Sequence, residues 1–336
     1  MIIHKSNRFY ELDALRGLAA ISVCLFHFNL FRYGCTGVDL FFIISGFVIF
    51  MSIINANSIK TFFISRFIRL FPSYWLSIII AFITIPILEK HLLPIDFKFL
   101  LGNLTMMQPL FKTTYLNGVY WTLYVELMFY FAIAVIWKFK KLRSIETIIV
   151  IGLIMTAILN GAYFFCKNEN PQFARLFIIL RSLIPLVSHL HSFSAGIIFY
   201  VSYQSGVNLR RLTILLFTIL VTAISHTESV MINSYLNTVE HTLIYAIFII
   251  MFLVLIGRKK KFYKIAFFSF LGNISYPIYL IHSMVGVALK DFLTPIIGLN
   301  YSIIIGLLST FILSTIITYW FDIPIRLCFK NLIKNN

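Results

Sequence analysis

An arginine and a histidine in the first apolar segment are the residues best suited to chemistry. Arg16 and His27 are 11 positions apart, so at about 100° per residue they share one helix face, about 16 Å apart along its axis. An imidazole can act as a general base or as a nucleophile. The structural alternative makes Arg16 a flanking residue of the segment and His27 a hydrogen-bonding group inside a helix bundle.

Two residues with carboxylate side chains lie within other apolar segments of the chain. Asp39 begins the second apolar segment, and Glu126 lies about two helical turns into the fourth. A carboxylate beside an imidazole can orient the ring, select its tautomer and raise its basicity. We therefore predict that His27, Glu126 and Asp39 are the catalytic residues.

Three further side chains lie toward the ends of their segments at which His27, Asp39 and Glu126 also lie. Trp121 and Tyr124 precede Glu126, and His282 lies in the ninth segment, so we predict that these three contribute to an acceptor site. For His282 the alternative, a structural histidine, is slightly favoured. The four cysteines show no C-x-x-C spacing, and no metal site is predicted.

A pair of arginines follows the second segment. Arg66 and Arg69 are three residues apart in KTFFISRFIRLFPSYW, so they are neighbours if the segment is helical. Two guanidinium groups on one face suit the oxygen atoms of phosphate. The alternative is an interfacial amphipathic helix whose arginines meet lipid headgroups.

The amino-acid composition indicates which kind of structure positions these residues. The chain has 336 residues, of which 60% are apolar and 12% charged, and its mean hydropathy is +0.92. These values exclude a soluble domain and, since apolar stretches of about 20 residues recur, predict an all-α polytopic membrane protein. We predict about ten transmembrane helices in a single domain, 1–336. The predicted segments are 13–31, 37–55, 73–90, 119–137, 147–165, 182–203, 212–226, 241–256, 268–288 and 301–320.

The net charge of +16 indicates orientation. If the amino terminus is cytoplasmic, 20 of the 28 Lys and Arg residues lie on the cytoplasmic side, including KFKKLR at 138–143 and RKKK at 258–261. An even number of spans then places both termini in the cytoplasm. Because the basic residues are spread between apolar spans, no nucleic-acid partner is predicted.

Five motifs together resemble the acyltransferase family 3 membrane proteins, which O-acylate bacterial surface glycans and other exported molecules. They are ELDALRGLAAISVCLFHF at 11–28, GVDLFFIISGFVI at 37–49, SRFIRLFPSYW at 65–75, WTLYVELMFYF at 121–131 and LGNISYPIYLIH at 271–282. The resemblance covers essentially the whole chain. Asp322, in FDIPIR, departs conservatively from the glutamate that is usual in the family.

The resemblance implies roles for individual residues. His27 would be the catalytic histidine and Glu126 the acidic residue of the fourth motif, whereas Arg16, Arg66 and Arg69 would serve the acyl-CoA donor. Many relatives carry an additional periplasmic hydrolase-like domain, which is not expected here.

The implied reaction transfers an acyl group, most simply acetyl from cytoplasmic acetyl-CoA, to a hydroxyl of an exported glycan. The glycan would be O-antigen, capsule or exopolysaccharide, and the protein would lie in the bacterial cytoplasmic (inner) membrane. The implied partners are acyl-CoA, a glycan or lipid-linked glycan and membrane lipids. Acetyl-CoA would be a co-substrate, with no bound cofactor.

Two other classes of protein share the polytopic, basic-inside pattern. A secondary transporter would use intramembrane histidine and carboxylate groups as a proton relay. A flippase for lipid-linked glycans is the second alternative. Neither predicts acyl-CoA hydrolysis or acyl transfer, so that assay separates both from an acyltransferase.

Overall fold

The protein is described by a computed structural model that covers residues 9–89, 96–166, 170–226, 234–257 and 266–335. Within these ranges the chain is helical and contains no β-strand. The main helices are α1 (Tyr10–His27), α2 (Gly37–Ile54), α3 (Ile59–Thr84), α4 (Phe97–Thr105), α5 (Trp121–Lys138), α6 (Ile145–Cys166), α7 (Pro171–Leu183), α8 (Leu186–Ser205), α9 (Leu209–His226), α10 (Thr238–Gly257), α11 (Ala266–Ile281), α12 (Ala288–Ile297), α13 (Leu299–Ile316) and α14 (Ile323–Asn335).

The predicted all-α, multi-pass class is confirmed. Seven helical stretches of the described chain are long and apolar enough to cross a membrane, or eight if the bent pair α7–α8 is one span. Each of the ten predicted segments overlaps a helix, but α1 and α9 are not among the eight. The count of ten and the cytoplasmic location of both termini therefore stay predictions. The basic run 258–261 lies outside the described residues.

Lipid-facing helices differ clearly from the central helix. On α6, Ile151, Ile154, Met155 and Ile158 are all exposed at helical spacing, which forms an apolar stripe suited to hydrocarbon. The apolar stretch of α6 is 22% buried, whereas that of α2 is 67% buried. The centre of the bundle is therefore α2, with α1, α5 and α8 packed around it.

Two helix crossings depend on glycine. A Cβ atom on Gly196 of α8 would lie 2.0 Å from the carbonyl oxygen of Ile43 on α2, and one on Gly46 would lie 2.2 Å from the carbonyl oxygen of Phe193. Small residues allow helix backbones in a membrane to approach this closely. The same device joins α1 to α11, where Gly17 meets Leu271.

Two helices differ from the predicted segments. The predicted span 73–90 begins too late, because α3 is continuous from Ile59 through Pro72 and extends as a π-helix to Glu89. The predicted span 182–203 is instead a broken element, since α7 and α8 meet at a bend of 50°. The bend lies beside Pro185, the residue that precedes α8.

Candidate active site

The site is built around two histidines from different helices. His27 is the last residue of α1, and His282 directly follows α11. Nδ1 of His27 lies 3.2 Å from Nε2 of His282, and the two ring centroids are 4.8 Å apart. His282 is fully buried, whereas His27 is partly exposed. The two rings therefore form a pair with only the His27 side open.

The hydrogen-bond partners determine where the protons of this pair lie. Nδ1 of His282 lies 2.9 Å from the carbonyl oxygen of Tyr279 and 3.1 Å from that of Ile278. A carbonyl only accepts, so this Nδ1 carries a proton and the neutral ring accepts at Nε2. Nδ1 of His27, which is 2.9 Å from the carbonyl oxygen of Val23, is then the donor to both Val23 and His282. The tautomer leaves the lone pair of His27 on Nε2.

A local irregularity of the helix holds His282 in place. The residues His282–Val287 form a π-helical turn between α11 and α12. Such turns within α-helices are frequent at functional sites. Gly286 in this turn packs against Gly306 and Thr310 of α13. The position of His282 is therefore set by the backbone as well as by its hydrogen bonds.

A pocket with about 580 Å³ of empty space, part of it open to the outside, lies between α1, α2, α3, α5 and α11. Arg16, Arg69 and Glu126 line it. Arg16 also forms an ion pair with Asp13 at 3.3 Å. Arg66 interacts electrostatically with Arg69 and Glu126, and its buried Nη1 has no hydrogen-bond partner among the described residues. Three guanidinium groups therefore lie at or beside the end of the pocket that contains Glu126.

The carboxylate of Glu126 is held by two hydroxyl groups. Its Oε1 accepts a hydrogen bond from Tyr130 OH at 2.6 Å and one from Ser45 Oγ at 3.1 Å. These bonds fix Glu126 among α2, α5 and the arginines. In the described chain, His27 is bonded to Val23 and His282 and to neither predicted carboxylate. The neighbour that orients the His27 imidazole is therefore a second imidazole.

The other end of the pocket leads toward the histidines. Tyr279 and Thr122 line it there, and their hydroxyl groups are 2.7 Å apart. The ring centroid of Tyr279 is 5.9 Å from that of His282. Tyr279 thus separates the pocket from the histidine pair, and the basic end lies near the opposite end of α1.

Asp39 belongs to a different polar cluster. Its Oδ2 is 2.9 Å from Nε2 of His241 on α10, and its Oδ1 accepts a hydrogen bond from Ser192 Oγ of α8 at 3.2 Å. Nε2 of His191 is 3.9 Å from Oδ1. Because all four side chains are buried, Asp39 joins α2, α8 and α10 within the bundle.

The predicted acceptor residues are separated in the structure. The ring of Trp121 contacts His189, at 5.1 Å between centroids. The buried Tyr124 donates a hydrogen bond to the carbonyl oxygen of Leu183 at 2.9 Å. Neither lines the pocket, which takes Thr122 and Leu123 from the same turn. Of the three predicted acceptor residues, only His282 contacts His27.

The sequence interpretation gave no partner role to Ser45, Thr122 or His241. Ser45 could have been linked to Glu126 only by knowing that α2 and α5 pack together. The proximity of Tyr279 to His282 could have been predicted from the sequence, because Tyr279 lies three residues before His282 and therefore on the same helix face. His241 had no signal in the sequence, because it meets Asp39 from a distant part of the chain.

The arrangement can bind anionic groups at one end and perform base or nucleophile chemistry at the other. Three clustered guanidinium groups suit phosphate oxygens. An imidazole with a free, oriented Nε2 suits proton abstraction or attack on a carbonyl carbon. Among the described residues, no group of three or more His, Cys, Asp or Glu side chains could hold a metal ion.

The fold and the site define a multi-pass helical membrane protein with a basic pocket beside a pair of histidines. A model of the family described as "Acyltransferase domain" matches residues 9–321. The chain belongs to this family, which confirms the resemblance seen in the five motifs.

Three proteins are similar to this chain in sequence. The chain is 26% identical over 286 residues to the "Putative acetyltransferase ORF330" of Acidianus two-tailed virus, covering 81% of this chain and 82% of that protein. It is 35% identical over 81 residues to the peptidoglycan O-acetyltransferase OatA of Listeria monocytogenes, covering 22% and 13% respectively. It is 27% identical over 205 residues to nodulation protein 10 of Rhizobium leguminosarum bv. viciae, covering 50% and 55%. No solved structure matches the chain.

Proposed function

We propose that the protein is an O-acyltransferase that moves an acetyl group from acetyl-CoA to a hydroxyl of an exported glycan. The observation that carries this proposal is the pocket itself, which has arginines at one end and Tyr279, in contact with His282, at the other. Two of the relatives are named acetyltransferases, and one of these names peptidoglycan. These names favour acetyl as the donor group and a glycan as the acceptor.

The donor would bind with its charged part at the basic end. The phosphates of CoA cannot enter hydrocarbon, and Arg16, Arg66 and Arg69 offer guanidinium groups where phosphates would need them. The pantetheine arm is thin and uncharged. It would pass between α1, α2 and α11, past Tyr279, and bring the thioester to His27.

The chemistry would proceed at Nε2 of His27 by one of two routes. In direct transfer, Nε2 takes the proton of the acceptor hydroxyl, the oxygen attacks the thioester carbonyl carbon, and the departing CoA thiolate receives that proton. In the covalent route, Nε2 attacks the carbonyl carbon first, the C–S bond breaks, and the CoA thiolate departs from an acyl-imidazolium. The oxygen of the acceptor hydroxyl then attacks the acyl carbon, the Nε2–C bond breaks and returns its electron pair to Nε2, and the hydroxyl proton goes to the thiolate. His282 would hold the Nδ1 proton of His27 in both routes.

The proposal also includes a location and a direction. The positive-inside distribution supports an orientation with the arginines on the cytoplasmic side and His27 in the outer half of α1. A bacterial inner-membrane protein so oriented would take acetyl-CoA from the cytoplasm and meet the glycan on the outer side.

The test is acetyl transfer and acetyl-CoA hydrolysis by the protein in isolated membranes. We expect His27→Ala to abolish both while the protein stays folded in the membrane, because the base or nucleophile is lost. The control is Ser22→Ala on the same helix. Within the described part of the chain, the hydroxyl of Ser22 donates a hydrogen bond to the carbonyl oxygen of Leu18 alone. Near-normal activity of His27→Ala would refute the proposed mechanism. Wild-type protein without either activity would favour a transporter or flippase.

A further inference from the structure

A compact set of exposed aromatic and charged side chains lies beyond the His27 end of α1. We call Phe31, Arg32, Tyr33, Tyr235 and Glu240 the aromatic patch. Phe31, Tyr33 and Tyr235 are 42%, 36% and 46% exposed, and the ring centroids of Phe31 and Tyr33 are 5.8 Å apart. Of these rings, those of Tyr33 and Tyr235 can contact a ligand through both a flat face and a hydroxyl group.

The charged members of the patch contact one another and the ring of Tyr33. Arg32 donates a hydrogen bond to Tyr33 OH at 2.7 Å, and its guanidinium carbon lies 4.6 Å from the centroid of the same ring. Arg32 also forms an ion pair with Glu240, in the first turn of α10. Glu240 is fixed in turn by reciprocal hydrogen bonds with Asn237, the residue before α10. Arg32, Tyr33 and Glu240 are therefore joined by contacts that need no ligand.

Phe26 connects the patch to the candidate catalytic histidine. The ring centroids of Phe26 and Tyr235 are 4.7 Å apart, and those of Phe26 and His27 are 5.1 Å apart. The Tyr235 ring therefore lies no more than 9.8 Å from the His27 ring. A disaccharide spans such a distance, so a sugar stacked on Tyr235 can bring a neighbouring hydroxyl toward His27.

The charge of the patch indicates what kind of ligand it suits. Arg32 and Glu240, the two charged members of the patch, neutralise each other. A site for anionic lipid headgroups or an anionic polymer would present cations without carboxylate partners. Paired charges and exposed rings instead suit a ligand that is uncharged, rich in hydroxyl groups and flat on one face.

We propose that the aromatic patch is the acceptor site and that it binds a neutral, hydroxyl-rich sugar chain. The sugar rings stack on Tyr33 and Tyr235, and Arg32 and Glu240 hydrogen-bond the hydroxyl groups. This proposal rests on the proposed function, since it specifies the acceptor for His27. The alternative is that the rings only anchor the protein at the membrane surface, as exposed aromatic residues often do.

The test measures sugar binding directly, so that it does not depend on acetyl transfer. The protein in lipid nanodiscs is titrated with chitotetraose and cellotetraose, both neutral, and with a hyaluronan tetrasaccharide as the anionic probe, by saturation-transfer NMR. We expect a neutral probe to bind, and binding to weaken about tenfold in Tyr33→Ala and in Tyr235→Ala. The Phe variants of both positions keep the ring and should retain most of the affinity.

The matched control is Tyr301→Ala, which removes an exposed tyrosine at the start of α13 and should leave binding unchanged. Loss of binding in this control would indicate a general effect of aromatic anchors. The proposal is overturned if no neutral probe binds, if both Ala variants bind as well as the wild type, or if the anionic probe binds better. Sugar binding by a protein without acetyl-CoA turnover would instead contradict the proposed function alone.

Discussion

His27 owes its chemical competence to what surrounds Nδ1. The carbonyl oxygen of Val23 and Nε2 of His282 both accept from that nitrogen, so the lone pair is directed to Nε2 without a carboxylate. A neighbouring neutral imidazole fixes the tautomer while adding no charge to a water-poor site. In the proposed mechanism, His282 is therefore a positioning residue.

Substitution of His282 tests this role. We expect His282→Leu to lower kcat by about tenfold or more, because the His27 tautomer is no longer held. His282→Gln places an amide oxygen near the position of Nε2 and should retain more activity. KM for acetyl-CoA should stay unchanged in both variants, since the arginines lie at the other end of the pocket. Equal loss in the Leu and Gln variants, measured by steady-state kinetics, would indicate a packing role alone.

Arg66 and Arg69 should determine affinity for the donor. A hydrogen bond to a charged group contributes about 1.5–3 kcal/mol, so Arg66→Ala and Arg69→Ala should each weaken acetyl-CoA binding by about 10- to 100-fold. Lysine keeps the charge but not the planar fork, so the Lys variants should fall in between.

Isothermal titration of the solubilised protein with acetyl-CoA measures this effect. Arg210→Ala is the matched control, because Arg210 is an exposed arginine that pairs with Glu146 away from the pocket. Unchanged affinity in both Ala variants would return Arg66 and Arg69 to the role of lipid-headgroup ligands.

Among the helices, the sequence could predict only those spatial relations that hold between residues of the same segment. The shared face of Arg16 and His27 needs only the helical period. The structure agrees, because Arg16 lines the pocket together with Tyr276 of α11, and His27 contacts His282, the residue that follows α11. The proximity of Arg66 and Arg69 follows in the same way, since both lie on α3. Apolar runs likewise located the helices, because a helix that faces lipid has apolar side chains at every turn.

Contacts between segments could not be predicted in this way. The pairing of Asp39 with His241 depends on which helices are neighbours. The chain contains several carboxylates and histidines, and their residue types do not indicate which helices pack together. The early start of α3 was missed because Lys60, Arg66 and Arg69 interrupt the apolar run, although Arg69 lines the pocket between the helices.

The crossing of α2 and α8 makes a prediction for stability. Gly196→Ala places a Cβ atom 2.0 Å from the carbonyl oxygen of Ile43 and 2.7 Å from the backbone nitrogen of Phe47. The helices must separate, at a cost of about 1–3 kcal/mol, and the thermal unfolding midpoint should fall.

Gly161→Ala on α6 is the control for this change. A Cβ atom there meets nothing within 4 Å, so alanine should be neutral or stabilise the helix by up to about 1 kcal/mol. If both variants unfold at the wild-type temperature, the close approach of α2 and α8 does not contribute to stability.

The molecule as a whole carries its two polar ends on opposite sides of the bundle. Arg66 and Arg69 lie near the amino-terminal end of α3, whereas His27 ends α1 at the other side. A transferase so built would accept its two substrates from opposite faces of the membrane.

Sealed vesicles of known orientation test this arrangement. We expect acetyl-CoA supplied only at the cytoplasmic face to acetylate a glycan present only at the other face, with no free acetate required. Vesicles of the opposite orientation serve as the control and should show no labelling. Labelling that requires both substrates at the cytoplasmic face would contradict donor passage through the bundle while leaving acyl transfer intact.

The glycine contact between α1 and α11 acts as a pivot for the histidine pair. Gly17 meets Leu271, and Gly272 meets the backbone of Asp13, so the helices touch beside Arg16, about 15 Å along α1 from His27. Over such a lever arm, a change of about 4° in the crossing angle moves the far end by about 1 Å. That movement is enough to break a hydrogen bond of 3.2 Å. The geometry of the His27–His282 pair therefore depends on the crossing angle that these two glycines allow.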